Sequence, residues 1–300
     1  MCKPNIIKGM DTTALPDQWA TPRPSCVAIL DGDGLCYRAA CSASKFSTMM
    51  RHAQQEILKV MYLTGVEQCS VHLTAADSTK FRRFEVAAHK PYQGNRTGRA
   101  KPALLESVRT GLLKPEYSLP NVEVYLHRDQ EADDAMMIES YSRQEMGIVY
   151  SEDKDLRMTP YPYWDTYTGT LINTDHVGYI DLRFTPSGNV KITGHGPMFF
   201  WGQMLTGDTA DNIKGVRKYQ NALCGAVKAV DILGPIQDIN TAANIVIDSY
   251  RAIGQNVLAE GWLLHLKRGP FDDVIKYFDE LDLTPQNRAF VEKCCLTLWR

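Results

Sequence analysis

The chain has 300 residues, of which 44% are hydrophobic, and a formal net charge of −2. This is the composition of a globular protein that buries a full core, and no run of 18 apolar residues indicates a membrane span. The polar first residues do not resemble a secretory signal peptide, and the eight cysteines include no C-x-x-C pair. We therefore expect a cytoplasmic protein without disulfides or zinc.

Short apolar runs alternate with helical patterns along the first half of the chain. The runs at residues 26–31, 69–77, 122–127 and 147–155 predict strands. Helical patterns at 39–64, 102–113 and 132–145 separate them. This alternation predicts a mostly parallel central sheet flanked by helices. Residues 166–193 predict antiparallel excursions, and from residue 197 the pattern is mainly helical.

The same pattern divides the chain into three parts. Residues 1–24 contain three prolines in their second half and predict an N-terminal tail. Residues 25–196 form the predicted α/β core, and residues 197–300 the helical C-terminal region.

The stretch from Glu131 to Ser140 places three carboxylates at the start of a buried helix. An acidic side chain at a helix N-terminus contributes only about 0.3–1 kcal/mol. Two carboxylates about 5 Å apart repel by about 3 kcal/mol at an effective dielectric near 20. Asp129 is placed to cap the helix, so Glu131, Asp133 and Asp134 have no capping role. Either they only complement the helix dipole or a divalent cation lies between them, and the repulsion favours the cation.

Acidic residues also follow the other predicted strands. A single Asp at a strand end is commonly a turn or cap residue. Several such clusters at one edge of a sheet require cations or bound protons. Two Mg²⁺ ions about 3.5–4 Å apart, held by carboxylates, are the usual machinery of phosphodiester hydrolysis. The clusters are Asp31 with Asp33, Asp77, Glu131 with Asp133 and Asp134, Asp153 with Asp155, and Asp208 with Asp211.

A basic segment lies between the second and third predicted strands. From Lys80 to Lys114 there are nine basic and two acidic residues, a net charge of +7 that leaves −9 for the rest of the chain. A charge run alone is most simply a solvated surface. The interleaved Phe81, Phe84 and Tyr92 favour instead a phosphate-binding element with stacking groups.

Together these motifs resemble the structure-specific 5′ nucleases, which include bacteriophage 5′→3′ exonucleases, flap endonucleases and the 5′-nuclease domain of bacterial DNA polymerase I. The motifs stand in family order as ILDGDGLCYRA, TAADSTKFRR, KPYQGNR, EADDAMM, SEDKDL and GDTADNIKGV. The resemblance covers about residues 27–233, and a phage exonuclease is the closest match. It implies a PIN-like α/β fold with a basic helical arch at about residues 80–101 and a helical, DNA-binding C-terminal region.

The implied activity is that of a metal-dependent 5′→3′ exodeoxyribonuclease with flap endonuclease capability. It leaves 5′-phosphorylated products by a two-metal mechanism, and serves phage DNA replication or recombination, including primer removal. The implied cofactors are two Mg²⁺ ions, with Mn²⁺ as a substitute. The expected substrates are DNA with 5′ ends, nicks or flaps and RNA–DNA hybrids, cut by a monomer in the host cytoplasm.

The resemblance also implies which residues form the site. Asp31, Asp77, Glu131 and Asp133 would hold one metal ion, and Asp134, Asp153, Asp155 and Asp208 would shape the second, with Asp211 nearby. The sequence leaves open which carboxylate binds which ion. In the arch, Tyr92 would stack on a base and Arg96 would contact a phosphate. The implied DNA-binding residues are Arg82, Arg83, Arg99, Lys101, Arg217, Lys218 and Lys228.

The sequence departs from the family pattern at two places. The family motif commonly has lysine at the position of Gln93, and we expect Lys90, one helical turn earlier, to supply the missing charge. A glycine-rich hairpin usually follows the DNIKGV motif, but here only Gly225 remains before a helix. We therefore expect duplex anchoring to depend on basic side chains in that segment.

Two other functions would account for parts of the sequence. AILDGDG resembles the nucleophile loop of haloacid-dehalogenase-type phosphatases, with Asp31 attacking and Asp33 as the acid. Leu35 stands where that loop expects Thr or Val, and GDTAD does not match its later G-D-x-x-x-D motif. A DNA-binding protein without catalysis would lack a metal ligand, and none of the main carboxylates is absent. The nuclease interpretation therefore explains the most residues.

Overall fold

A six-stranded sheet forms the centre of the molecule, in the order β3-β2-β1-β4-β5-β6. The structure is a computed structural model that describes residues 21–96, 98, 100–173, 175–185 and 188–300. Neighbouring strands are parallel except for the antiparallel pair β5–β6. The predicted α/β class is thereby confirmed. The strands are β1 (Val27–Asp31), β2 (Gln68–Thr74), β3 (Val122–His127), β4 (Gly147–Tyr150), β5 (Tyr163–Asp165) and β6 (Thr170–Ile172).

Two helices, α1 (Gly32–Ser42) and α2 (Phe46–Thr64), connect β1 to β2 where the sequence predicted one. The Asp31 side chain accepts a hydrogen bond from the Gly34 N–H (3.0 Å) and so begins α1 directly at the strand end. Gly32 is needed there because a Cβ would lie 2.6 Å from the His72 carbonyl oxygen of β2. The Asp-Gly-Asp-Gly sequence therefore turns the chain from strand to helix without a loop.

The helix after β3 begins at Glu131 and not at Asp129. This helix, α4 (Ala132–Arg143), has Glu131 as its N-cap. Glu131 and Asp134 form a capping box, in which each side chain accepts the other residue's backbone N–H. Asp129 serves a different contact, because its carbonyl accepts the N–H of Phe81 (3.0 Å). The remaining connection, between β2 and β3, contains α3 (Leu105–Leu112).

The second half of the chain is a hairpin followed by helices, as predicted. Strands β7 (Tyr179–Phe184) and β8 (Val190–His195) pair antiparallel in a separate sheet. The next helix is buried on all sides, which its apolar sequence PMFFWGQMLT explains. The helices are α5 (Pro197–Thr206), α6 (Ala226–Leu233), α7 (Ile239–Ala252), α8 (Val257–Leu264), α9 (Val274–Asp279) and α10 (Pro285–Cys295).

Hydrophobic clusters cover both faces of the central sheet. One lies under α1–α3 and includes Met50, Leu73 and Val108. The other joins Ile29 of β1 to buried residues of α4 and of the C-terminal helices, including Trp201. The sheet and the C-terminal helices therefore share one core. Across the described residues, no helix combines the length and apolar character needed to cross a membrane.

The described part of the arch segment, residues 80–96, 98, 100 and 101, is irregular and does not form the helix that the resemblance implied. It contains two short 3₁₀ turns, Lys80–Glu85 and Gly94–Arg96. Lys80, Phe81 and Arg82 have φ values of 50°, 54° and 59°, which excludes a right-handed helix at its start. The Phe81 ring stacks on Trp262 of α8 at 4.8 Å.

The C-terminal residues pair with the chain just after this turn. Val86 and Trp299 form an antiparallel bridge. The Ala87 N–H donates to the Leu298 carbonyl (2.8 Å), and the Arg300 N–H donates to the Glu85 carbonyl (2.9 Å). The arch segment is therefore fixed at its base by residues from the far end of the chain.

Candidate active site

Five carboxylates converge at the edge of the sheet where the parallel strands end. Asp31 ends β1, Asp33 lies in the first turn of α1, Glu131 and Asp133 begin α4, and Asp153 follows β4. Burial and the charges of Asp153, Asp31 and Glu131 raise the pKa of Asp133 well above its usual range. Burial and neighbouring carboxylates raise the pKa of Asp153 to about 7. These side chains therefore form one strongly negative group.

The hydrogen-bond donors that the structure describes are unevenly distributed over this group. Asp31 accepts hydrogen bonds from the Gly34 N–H (3.0 Å) and from the Ser151 hydroxyl (2.9 Å). Asp133 has no hydrogen bond or ion pair from any side chain that the structure describes, and the main influences on its pKa all raise it. Carboxylate oxygens are the ligands that Mg²⁺, Ca²⁺ and Mn²⁺ prefer. The residues present therefore fit a divalent cation.

A second group of carboxylates lies beside the first. One oxygen from each of Asp155, Asp208 and Asp211 lies within 4.8 Å of the others, a spacing that allows them to share a metal ion. Burial raises the pKa of Asp211 to about 6, although the charge of Arg96 opposes the shift. A tight turn positions Asp208. The Asp208 N–H donates to the Ile213 carbonyl (2.9 Å), and the Ile213 N–H donates to the Asp208 carbonyl (2.7 Å). The two groups therefore place eight carboxylates in one region of the molecule.

Lys154 lies inside the second group. Its Nζ is 2.6 Å from Asp155 Oδ1 and 3.2 Å from Asp208 Oδ2. The Gln203 amide donates a further hydrogen bond to the same oxygen of Asp155 (2.7 Å). In the sequence, Lys154 stands between the predicted ligands Asp153 and Asp155. Its contact with Asp208, which is 54 positions later in the chain, arises only from the fold. Lys154 partly neutralises this group, and a cation that enters has to displace its ammonium.

Arg83 and Asp134 form a buried ion pair, although the resemblance implied a DNA contact for Arg83 and a metal contact for Asp134. Arg83 is 2% exposed and Asp134 is fully buried. The guanidinium donates to both oxygens of Asp134 (2.7 and 2.8 Å) and to Glu131 (3.0 Å). Burial opposes ionisation of Asp134, but the charge and hydrogen bonds of Arg83 lower its pKa below its usual value. In this structure the two charges are therefore paired with each other, away from solvent.

Asp77 lies apart from both carboxylate groups, contrary to the metal role implied for it. Its side chain is 68% exposed and pairs with Arg128. Strand β2 ends at Thr74, so Asp77 lies beyond the edge where the acids meet. Asp33, and not Asp77, lies at the edge where the acids meet. Its side chain accepts the Thr74 N–H (3.3 Å) and pairs with Arg109 (3.0 Å). The Asp-Gly-Asp spacing was the signal for Asp33, whereas nothing in the sequence pointed to Arg109.

Tyr92 is enclosed in this conformation, although the resemblance implied that its ring stacks on a base. It is 7% exposed, and its hydroxyl donates to Glu131 Oε2 (2.8 Å). Burial and the charge of Glu131 raise its pKa well above the usual value, so the hydroxyl keeps its proton. Tyr92 therefore orients Glu131. Arg96 is exposed and pairs with Asp211, beside the second carboxylate group.

Lys80 reaches the first carboxylate group, although the sequence placed it only among the basic residues. Its Nζ lies 3.0 Å from Glu131 Oε1 and 2.9 Å from Gln93 Oε1. Lys90, which was expected to occupy this place, is exposed and forms no ion pair among the described residues. Burial and the positive charges of Arg217, Lys214 and Lys90 lower the pKa of His89. Lys90 therefore belongs to an outer basic surface.

The other predicted DNA-binding residues are mostly exposed. Arg82 packs its guanidinium over the Trp299 ring (4.2 Å) and pairs with Glu85. Arg99 lies outside the described residues. Lys101, Arg217, Lys218 and Lys228 all have exposed side chains.

A tight hairpin lies where the resemblance implied a glycine-rich one. Tyr219 and Ala222 exchange both backbone hydrogen bonds (2.7 and 3.0 Å). The two residues between them, Gln220 and Asn221, have φ values of 48° and 65°, as in the turns that favour Asn and Gly. Gly225 then caps α6. The backbone makes the turn without glycine, so the departure in sequence does not remove the hairpin.

Comparisons with known proteins support the fold. No protein-family model matches the chain, and no curated protein does. The solved structure of the T5 5′-exonuclease with bound zinc ions has a TM-score of 0.54 at 15% identity, covering 90% of this chain and 98% of that one. The T5 D15 protein co-crystallised with metal ions, and the bacteriophage T5 D15 flap endonuclease in a pseudo-enzyme-product complex with DNA and metal ions, each give 0.52 at the same identity and coverage. The chain has the fold of these 5′ nucleases.

Proposed function

We propose that this protein is a metal-dependent, structure-specific 5′ nuclease that removes nucleotides from 5′ ends of DNA and cuts 5′ flaps. The observation that carries the proposal is the pair of adjacent carboxylate groups, one of them containing the unpaired Asp133, at the carboxyl ends of the parallel strands. Ligand sites of parallel α/β sheets form at this edge. The fold shared with the T5 5′-exonuclease adds support.

The metal ligands that we propose differ from the set implied by sequence. Asp31, Glu131, Asp133 and Asp153 would hold one ion, with Asp155, Asp208 and Asp211 for the second. Two divalent cations, Mg²⁺ or Mn²⁺, would supply charge to the phosphate in the transition state and lower the pKa of the attacking water. Attack at phosphorus breaks the bond to the 3′ oxygen, which leaves a 3′-hydroxyl and a 5′-phosphate.

Residues outside the metal groups would hold the substrate. Tyr92 and Ser151 orient carboxylates of the first group through hydrogen bonds of 2.8 and 2.9 Å. Arg96 would contact a phosphate of the 5′ strand once released from Asp211. Arg217, Lys218 and Lys228, around the Tyr219–Ala222 hairpin, would bind phosphates of the duplex. We propose that the protein acts as a monomer on nicked and flapped DNA, and on RNA–DNA hybrids during primer removal.

The test is cleavage of 5′-labelled blunt, nicked and flapped duplexes, with Mg²⁺ or with EDTA. We expect short 5′-phosphorylated products only with Mg²⁺. The matched control is the double variant Asp153→Asn, Asp155→Asn, which should bind the duplex and leave it intact. Metal-dependent cleavage by this variant would contradict the two-group site. A band shift without any cleavage by the parent would instead indicate a DNA-binding protein.

A further inference from the structure

We propose that Lys80 is a catalytic residue of this nuclease: its ammonium, presented by the Gln93 side chain, binds the scissile phosphate and stabilises the charge that develops on it. The inference rests on the proposed function and adds a residue to that site. No covalent step is assigned to Lys80, since the ammonium only donates hydrogen bonds and charge.

The position of the ammonium supports this role. Nζ lies 3.0 Å from Glu131 Oε1, in the first carboxylate group, and the side chain is 24% exposed. It therefore reaches from the surface to the carboxylates that would hold a metal ion. A phosphate oxygen that bridges such an ion and solvent would lie within reach of the same ammonium. A lysine can serve this purpose because its ammonium is a compact charge on a flexible stem.

Gln93 is oriented to hold the lysine. Its amide nitrogen donates to the Tyr92 hydroxyl (3.2 Å) and to Asp211 Oδ1 (3.1 Å), which turns the amide oxygen towards Lys80 Nζ at 2.9 Å. A neutral acceptor suits this place, whereas a second lysine at position 93 would repel Lys80. Glutamine at position 93 and lysine at position 80 therefore form a unit that links the two carboxylate groups.

The backbone around Lys80 is built to keep the side chain in this direction. Three consecutive non-glycine residues, Lys80, Phe81 and Arg82, have positive φ, a conformation that persists only where its surroundings impose it. The Lys80 N–H bonds to Ser78 Oγ (3.1 Å), and Trp262 Nε1 donates to the Phe81 carbonyl (2.9 Å) while its ring stacks on Phe81. Backbone strain of this kind is concentrated at functional sites.

Single-turnover cleavage of the flapped duplex, with enzyme and Mg²⁺ saturating, tests the proposal. Lys80→Met keeps the length of the side chain and removes the charge, and we expect it to lower the rate at least about tenfold, equivalent to about 1.4 kcal/mol. Lys191→Met, at an exposed lysine of β8, is the matched control and should cut like the parent. The double variant Lys80→Met, Gln93→Lys should cleave at least about threefold faster than Lys80→Met, because the lysine at position 93 returns a positive charge beside the same oxygens.

A binding measurement separates phosphate contact from a structural role. In EDTA, the affinity for DNA is compared with the affinity for DNA that carries an uncharged methylphosphonate at the scissile position. Lys80→Met should lower the ratio of phosphate to methylphosphonate affinity at least about threefold, whereas Lys191→Met should not change it. An ion pair that only neutralises Glu131 would alter thermal stability and leave this ratio unchanged.

Three results would overturn the proposal: a Lys80→Met rate within about twofold of the parent, an unchanged affinity ratio, or no recovery in the double variant. Failure of the proposed function is distinguishable from all three, because the parent itself would then not cleave the flapped duplex.

Discussion

Asp133 is a carboxylate enclosed by other carboxylates, so its charge is unfavourable until a cation binds. Burial and repulsion from Asp153, Asp31 and Glu131 raise its pKa well above the usual range. As a general scale, two carboxylates about 5 Å apart repel by about 3 kcal/mol at an effective dielectric near 20, and partial protonation relieves some of this repulsion. The residue therefore lowers the stability of the metal-free protein in order to bind metal.

The first prediction is that Asp133→Asn stabilises the metal-free protein and abolishes cleavage. We expect the free energy of unfolding in EDTA at pH 8 to rise by about 1–3 kcal/mol, because the amide removes the repulsion. Urea denaturation measures this, with Asp231→Asn, at an exposed aspartate, as the control. In saturating Mg²⁺ the gain should disappear, and a loss of stability in EDTA would contradict the prediction.

Arg83 illustrates the opposite arrangement, a buried charge whose two terminal nitrogens both donate to carboxylates. The second prediction is that Arg83→Met lowers the free energy of unfolding by about 3–5 kcal/mol, because it leaves the buried carboxylate of Asp134 unpaired. In the double variant Arg83→Met, Asp134→Asn, the loss of unfolding free energy should be smaller than in Arg83→Met by at least about 1 kcal/mol, since neither position then carries a charge. Urea denaturation of the two single variants and the double variant gives the coupling. Additive losses would show that the two side chains do not depend on each other.

At the scale of single elements, the hairpin Tyr219–Ala222 and helix α6 carry the exposed charges Arg217, Lys218 and Lys228. The third prediction is that alanine at all three positions lowers the slope of log affinity against log salt by about 2–3 for duplex DNA. Each lost phosphate contact removes about 0.9 from that slope. Fluorescence anisotropy between low and moderate salt measures it. Lys59, Lys191 and Lys293 replaced by alanine provide the control with the same change in net charge, and an equal effect there would indicate a general charge effect.

Element boundaries were predictable where a local pattern determined them. Strand β3 begins and ends at the predicted residues, Val122 and His127, because alternation and a following acidic turn mark both ends. The break between α1 and α2 was missed, since no proline or glycine marks Ala43, which adopts an extended conformation. The arch helix was wrong because Trp262, about 180 positions away, fixes Phe81 in a left-handed turn.

The candidate site was predictable in its residue types but not in its pairings. The sequence identified most carboxylates of both groups, because acids at the ends of parallel strands meet at one edge. It did not separate Asp133, which has no side-chain partner among the described residues, from Asp134, which pairs with Arg83 across 51 positions. Neither did it place Lys80 beside Gln93. Such contacts depend on long-range packing, which local sequence patterns do not predict.

At the scale of the whole molecule, the two carboxylate groups connect stability to metal concentration. The fourth prediction is that Mg²⁺ at about 100 times its dissociation constant raises the free energy of unfolding by about 2.7 kcal/mol, because only the folded chain assembles the groups. For a chain of this size the melting temperature should rise by about 5 °C. Calorimetry with and without EDTA measures it. The double variant Asp153→Asn, Asp155→Asn should show a much smaller rise, and an equal rise would place the metal elsewhere.

The bridge between Val86 and Trp299 also bears on the order in which the protein becomes active. Residues 85–87 meet residues 298–300 across more than 200 positions, and closing so long a loop is slow relative to forming local helices and neighbouring strands. The turn that holds Lys80 rests on Trp262 and lies next to this bridge. A newly made chain can therefore gather its acidic side chains before it fixes the arch segment. We expect cleavage activity to appear late in refolding. Chains that have not finished folding should therefore not cleave DNA.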